Sequence, residues 1–123
     1  MSSEQANHKR QWRDYQTENG TRPIKDFLLK LPDEDRAAIF EEMEHVRKYG
    51  KSVARHLHKD IYEVRAIYNT KAYRILFACQ GRFEQILLSL EGFQKKTQST
   101  PKRSINLAEQ TPTGRSVLFE RVE

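Results

Sequence analysis

One arginine, Arg74, stands inside an otherwise apolar stretch, AYRILFAC (72–79). Burying an arginine is costly unless the charge is paired. Two readings follow. Arg74 forms an internal ion pair with Glu63 of the neighbouring stretch IYEVRAIY (61–68), or it is a rigidly held guanidinium that grips phosphate oxygens two at a time. Alternate residues of a strand share a face, so Glu63 and Arg65 point the same way. A second set of cations, Lys95, Lys96, Lys102 and Arg103, lies in EGFQKKTQSTPKR (91–103), which has no acidic residue from Gly92 onward. If the three apolar stretches pair as consecutive antiparallel strands, Glu63, Arg65, Arg74, Lys95 and Lys96 converge on one concave surface. Such a surface can hold a phosphate, neutralise developing negative charge and move protons.

His56 and His58 fall in ARHLHKD (54–60), read as a loop. The H-x-H spacing could ligate a metal, but no cysteine cluster or third ligand accompanies it. Surface residues without a role are the default, and a contact to RNA is the alternative. The lone Cys79 sits in an apolar segment and reads as a buried structural thiol. No Gly-rich phosphate loop and no Ser/His/Asp or Cys/His arrangement is present. Tyr62, Tyr68, Tyr73 and Phe93 are interleaved with the charge; bases stack on such rings, though most of these should be core.

The elements that must position these groups can be read from periodicity. KRQWRDY (9–15) predicts a short polar edge strand, and ENGT (18–21) a turn. Thr21 is placed to cap a helix opened by Pro23, with Ile24, Phe27, Leu28 and Leu31 on one face and Pro32 as its stop. Asp33 is placed to cap a second helix, striped by Ile39, Phe40, Met43 and Val46 and closed by Gly50. A hairpin over 61–68 and 72–79 and a strand over 83–93 follow. Thr100 and Pro101 then open a last helix to about Gln110. The order β–α–α–β–β–β–α predicts a compact α+β domain over 1–110, with a tail, 111–123, that is extended or disordered.

The chain has 123 residues and a formal net charge of +5. The charge is uneven: Thr21–Gly50 carries six Lys/Arg against seven Asp/Glu, net −1. Lys51–Arg103 carries eleven against four, net +7. That crowding favours a nucleic-acid or phosphate partner. No run approaches the ~20 apolar residues of a membrane span, and MSSEQANHKRQW does not read as a secretory signal. The expectation is a soluble cytoplasmic protein.

The ordered series RPIKDFLLKLP, IYEVR, AYRILF and ILLSLEGFQKKTQSTPK resembles the phage-derived HigB-like toxins of the RelE/HigB toxin superfamily, over about residues 12–110. The phrase G-F-x-K-K-T-x-x-T-P, following the other two, carries most of the likeness. The resemblance implies a RelE-like fold: a small antiparallel sheet packed with two N-terminal helices and a C-terminal helix. It implies an mRNA endonuclease acting in the ribosomal A site. It also implies a cognate antitoxin, usually a helix-turn-helix protein in the HigB branch, and leaves open a chaperone as a third component. Arg74 matches the strand arginine that contacts the scissile phosphate in RelE-like toxins, and Arg65 a basic position one strand earlier. Lys95 and Lys96 fall near the basic residue after the last strand. Glu63 stands where RelE has a lysine, and no tyrosine follows GFQKKT to match the late catalytic tyrosine.

The expected chemistry is metal-free attack of the RNA 2′-hydroxyl on the adjacent phosphate. Arg74 and Arg65 would stabilise charge, and Lys95 or Lys96 would act as acid or clamp. Glu63, His56 or His58 would be the base, with Lys102 and Arg103 as further RNA contacts. The other reading is a noncatalytic member that only binds an antitoxin.

Overall fold

The computed structural model describes residues 9–95 and the backbone of 115–118. In chain order the elements are β1 (Gln11–Gln16), α1 (Pro23–Leu29), α2 (Asp33–Tyr49), β2 (Arg55–His58), β3 (Ile61–Tyr68), β4 (Lys71–Gln80), β5 (Ile86–Gln94) and β6 (Arg115–Leu118). They form a mixed α+β domain. Five strands within 11–94, joined by 115–118, make one sheet in the order β2-β3-β4-β5-β1-β6. β2 to β5 are successive antiparallel neighbours. β1 runs parallel to β5, with Gln11 opposite Ile86 and Asp14 opposite Ser89, and β6 is antiparallel to β1. The sheet is therefore not wholly antiparallel. The expected C-terminal helix over 100–110 lies outside the described residues.

β1 is not an edge strand, despite its polar composition. It lies between β5 and β6 and buries Trp12, Asp14 and Tyr15. Its polar groups are satisfied inside the fold. Trp12 Nε1 donates to the Met43 carbonyl at 2.8 Å, and Arg22 Nε donates to Asp14 Oδ2 at 2.9 Å. Burial raises the Asp14 pKa, opposed by Arg22 and by a hydrogen bond from Ser89.

Both helices cover the same face of the sheet, α1 over β5 and α2 over β3. Their apolar stripes meet Trp12, Val64, Ala66, Tyr73, Ile75, Phe77 and Leu87 in the main core. Pro23 opens α1 as expected, but Arg22 rather than Thr21 precedes it, with no side-chain cap. Pro32, not Asp33, precedes α2, and Asp33, Glu34 and Asp35 fill its first turn, where carboxylates favour the positive helix end. Gly50 closes α2 at φ +83°, with its N–H donating to the Val46 carbonyl at 2.6 Å. Asp35 is tied across to the sheet: Tyr73 donates its hydroxyl proton to the carboxylate, and Lys71 Nζ lies 2.7 Å away.

Gly92 allows α1 to seat on β5. A Cβ there would stand 2.6 Å from Phe27 Cδ2 and 2.9 Å from Ile75 Cδ1. Close to it, β5 carries a bulge. Leu76 faces Glu91 while Phe77 faces Ser89, so Leu90 is the extra residue. The bulge resets the alternation of the strand. Leu87 and Ser89 belong to the helix-covered side, yet Glu91, Phe93 and Lys95 emerge on the opposite side.

Candidate RNA-binding face

On the side away from α1 and α2, strand register lays side chains in rows. The first row runs Arg55, Glu63, Leu76, Glu91 across β2, β3, β4 and β5. The second runs Arg65, Arg74, Phe93. The third runs Ile67, Ala72, Lys95, where the Lys95 N–H donates to the Ala72 carbonyl at 2.7 Å. Rows two residues apart on a strand are separated by ~7 Å. From Leu76 of the first row outward lies a smaller apolar cluster, Tyr15, Ile61, Leu76, Leu88 and Leu90, which anchors this side of the sheet.

Within these rows four cations share one face: Arg55, Arg65, Arg74 and Lys95; Arg13 of β1, opposite Leu88, lies on the same side of the sheet but outside the rows. Their settings differ. Arg74 is 3% exposed, and Glu63 is fully buried. Arg74 Nε lies 3.5 Å from Glu63 Oε1, and Arg74 Nη1 donates to the Tyr73 carbonyl at 3.1 Å. The internal ion pair read from the sequence is thus present. Burial lowers the Arg74 pKa; Glu63 works against that, while Arg65 and Arg55 add to it. An arginine nonetheless stays protonated. Arg55 and Arg65 are exposed, and Lys95 is half-buried. The Lys95 ammonium is pushed down by desolvation first, then by Arg74 and Arg65. Arg65 and Arg74 sit directly opposite each other, an arrangement of like charges that opposes strand pairing.

The sequence-expected site residues separate into three groups. Arg65, Arg74, Glu63 and Lys95 are brought together. His56 is not: it pairs with Tyr62 on the helix-covered side, its ring 5.1 Å from the Tyr62 ring, with Nε2 2.7 Å from the Lys59 carbonyl. His58 lies beside Ile61, four residues and ~13 Å along β3 from Arg65. Lys96, Lys102 and Arg103 lie outside the described residues. Among the described residues no group of three His, Cys, Asp or Glu side chains is placed to hold a metal ion. Cys79 is on the helix-covered side, and burial pushes its thiol up to about 11, far from a reactive thiolate.

Arg55 was missed because ARHLHKD was read as a loop. It is instead β2, which folds back on β3 through a turn at Lys59 and Asp60, with Lys59 at φ 49°. The only signal was the tight spacing of Arg55 before Glu63 around a short polar turn.

The sequence model of the phage-derived Gp49-like proteins (DUF891) matches residues 26–112. The match spans most of the chain, including β2 to β5, and the chain belongs to that family, which is part of the RelE/HigB-like toxin clan. No curated protein matches the chain. Among the described residues no helix is long and apolar enough to cross a membrane.

Proposed function

We propose that this member of the Gp49-like family is the HigB-like toxin of a toxin–antitoxin pair, an endoribonuclease that cuts messenger RNA on the ribosome in the cytoplasm. The observation that carries the reading is the gathering of Arg55, Arg65, Arg74 and Lys95 on one sheet face of a chain from this clan. Like charges crowded together oppose folding, and a polyanionic ligand offsets that cost.

In this reading the RNA 2′-oxygen attacks the adjacent phosphorus, the P–O5′ bond breaks, and the products are a 2′,3′-cyclic phosphate and a 5′-hydroxyl. One proton leaves the 2′-hydroxyl and one reaches O5′. Arg65 is accessible and stabilises charge on the non-bridging oxygens. Arg74 sits beside it in the same row, buried, and acts through its field from a water-poor site, where charge is screened least. Glu63 is too buried to reach the 2′-hydroxyl; it is a positioning residue that holds the Arg74 guanidinium. Lys95 gives up a proton more readily than an ordinary lysine and suits proton transfer. The ribosome, by bending the message toward in-line geometry, would supply orientation that this small site does not.

A second reading has one observation in its favour. Arg74, the residue matching the phosphate arginine of RelE-like toxins, is almost wholly buried and already paired. A noncatalytic, antitoxin-binding protein would need no more than that. Inducible expression in a bacterial host separates the two. A toxin stops growth and protein synthesis, and Arg65→Ala or Lys95→Ala relieves the arrest. Unimpeded growth at comparable soluble expression supports the binding module.

A further inference from the structure

The catalytic reading needs only Arg65, Arg74 and Lys95, so Arg55 is left over. It is exposed, at the sheet-edge strand β2, and forms no ion pair among the described residues. Its cross-strand neighbour, Glu63, is committed to Arg74 at 3.5 Å. Arg55 adds positive charge to a cluster already in excess, and its charge is felt at both Arg74 and Lys95. A residue kept only for stability would lessen that repulsion rather than increase it.

Arg55 also extends the cluster in a definite direction. It lies in the first row on β2; Lys95 lies in the third row next to β5. Three strand spacings and four residues separate them, so their Cα atoms are ~20 Å apart on the diagonal. Arg65 lies between. The cations make a strip across the sheet rather than a single phosphate pocket. Ile67, 72% exposed, stands beside the strip on the Arg65 strand and offers an apolar surface to a sugar or base.

We infer that Arg55 is an outer phosphate contact, so that the protein binds single-stranded RNA along a diagonal track from Arg55 over Arg65 to Lys95. The ligand class is an RNA segment carrying phosphates on both sides of the one over Arg65. This rests on the RNA-cleaving reading, and it adds a length requirement that the reading alone does not impose.

The test is fluorescence anisotropy with labelled, uncleavable 2′-O-methyl RNA, a dinucleotide and an octanucleotide, across a salt titration. The wild-type protein should bind the octanucleotide more tightly. Arg55→Ala should lose much of that gain, while affinity for the dinucleotide stays the same. The slope of log affinity against log salt should become shallower by about 0.7, the value for one phosphate contact on a single strand. Arg55→Lys should restore most of the slope, because it returns the charge. Arg55→Gln serves in place of alanine if the alanine variant does not fold. An unchanged slope and octanucleotide affinity in Arg55→Ala or Arg55→Gln, with Arg65→Ala weakened, overturns the track and leaves the RNA reading standing. Failure of the wild-type protein and its ribosome complex to bind or cut RNA overturns the RNA reading itself.

Discussion

The two faces of the sheet obey different rules. On the helix-covered face every prominent polar group has a partner: Trp12 with the Met43 carbonyl, Tyr73 and Lys71 with Asp35, Asp14 with Arg22. Apolar side chains of α1, α2 and four strands fill the rest. On the other face, Arg55, Arg65, Arg74 and Lys95 crowd into three rows with Glu63 and Glu91 as the acidic residues among them. The first face is arranged for stability. The second keeps a charge excess that stability does not require, and that difference supports the proposal that it meets a polyanion.

Substitutions should split the same way. Phe77, fully buried between Trp12 and Tyr62, is the strongest test of the helix-covered face. Phe77→Ala should cost about 3–5 kcal/mol in urea unfolding, a large share of an ordinary domain's stability. Gly92→Ala should cost about 1–3 kcal/mol by overpacking against Phe27 and Ile75, read by the same unfolding curve. A cost near zero would mean that α1 can shift on β5.

Asp35 sharpens the contrast through pH. Hydrogen bonds from Lys71 and then Tyr73 hold its carboxyl below the usual aspartate range. A carboxylate with a lowered folded pKa contributes stability that is full above the unfolded value of about 4 and is lost as pH falls through the folded one. Asp35→Asn should therefore lower the urea midpoint at neutral pH and flatten its decline below about pH 4. Unchanged acid sensitivity would place that decline on other carboxylates, Asp14 being excluded because its pKa is raised.

The smallest expected change in stability is on the other face. Arg65→Ala should shift stability by no more than about 0.5 kcal/mol, since the side chain is exposed. It should still abolish growth arrest. Large destabilisation would put Arg65 with the structural residues.

Much of the scaffold was legible in the sequence. The stripe Ile39, Phe40, Met43 and Val46 is buried on α2 as its spacing required, and the hairpin of 61–68 with 72–79 is β3 and β4 with one residue added at each end of β4. The convergence of Glu63, Arg65 and Arg74 needed only consecutive antiparallel pairing, whereas that of Lys95 also needed the bulge in β5. Four features were not legible, for physical reasons. β1 is polar because its polar groups find partners 8 to 75 residues away, and local pattern carries no trace of that. Its parallel pairing with β5 is likewise a long-range choice. β2 contains one inward apolar residue, Leu57, too little for a period, so Arg55 went with it into a presumed loop. The bulge at Leu90 reverses the face of Lys95, and strict alternation from Leu87 would have put that lysine under the helices.

The central claim is that the basic face cuts RNA. The most direct measurement is to map the ends of ribosome-associated message after induction of the wild-type protein and of Arg65→Ala at matched soluble levels. The account predicts new breaks inside ribosome-occupied codons, ending in 2′,3′-cyclic phosphate and 5′-hydroxyl, with wild-type protein and none with Arg65→Ala. Message left intact by the wild-type protein, or the same breaks persisting in Arg65→Ala, would contradict it.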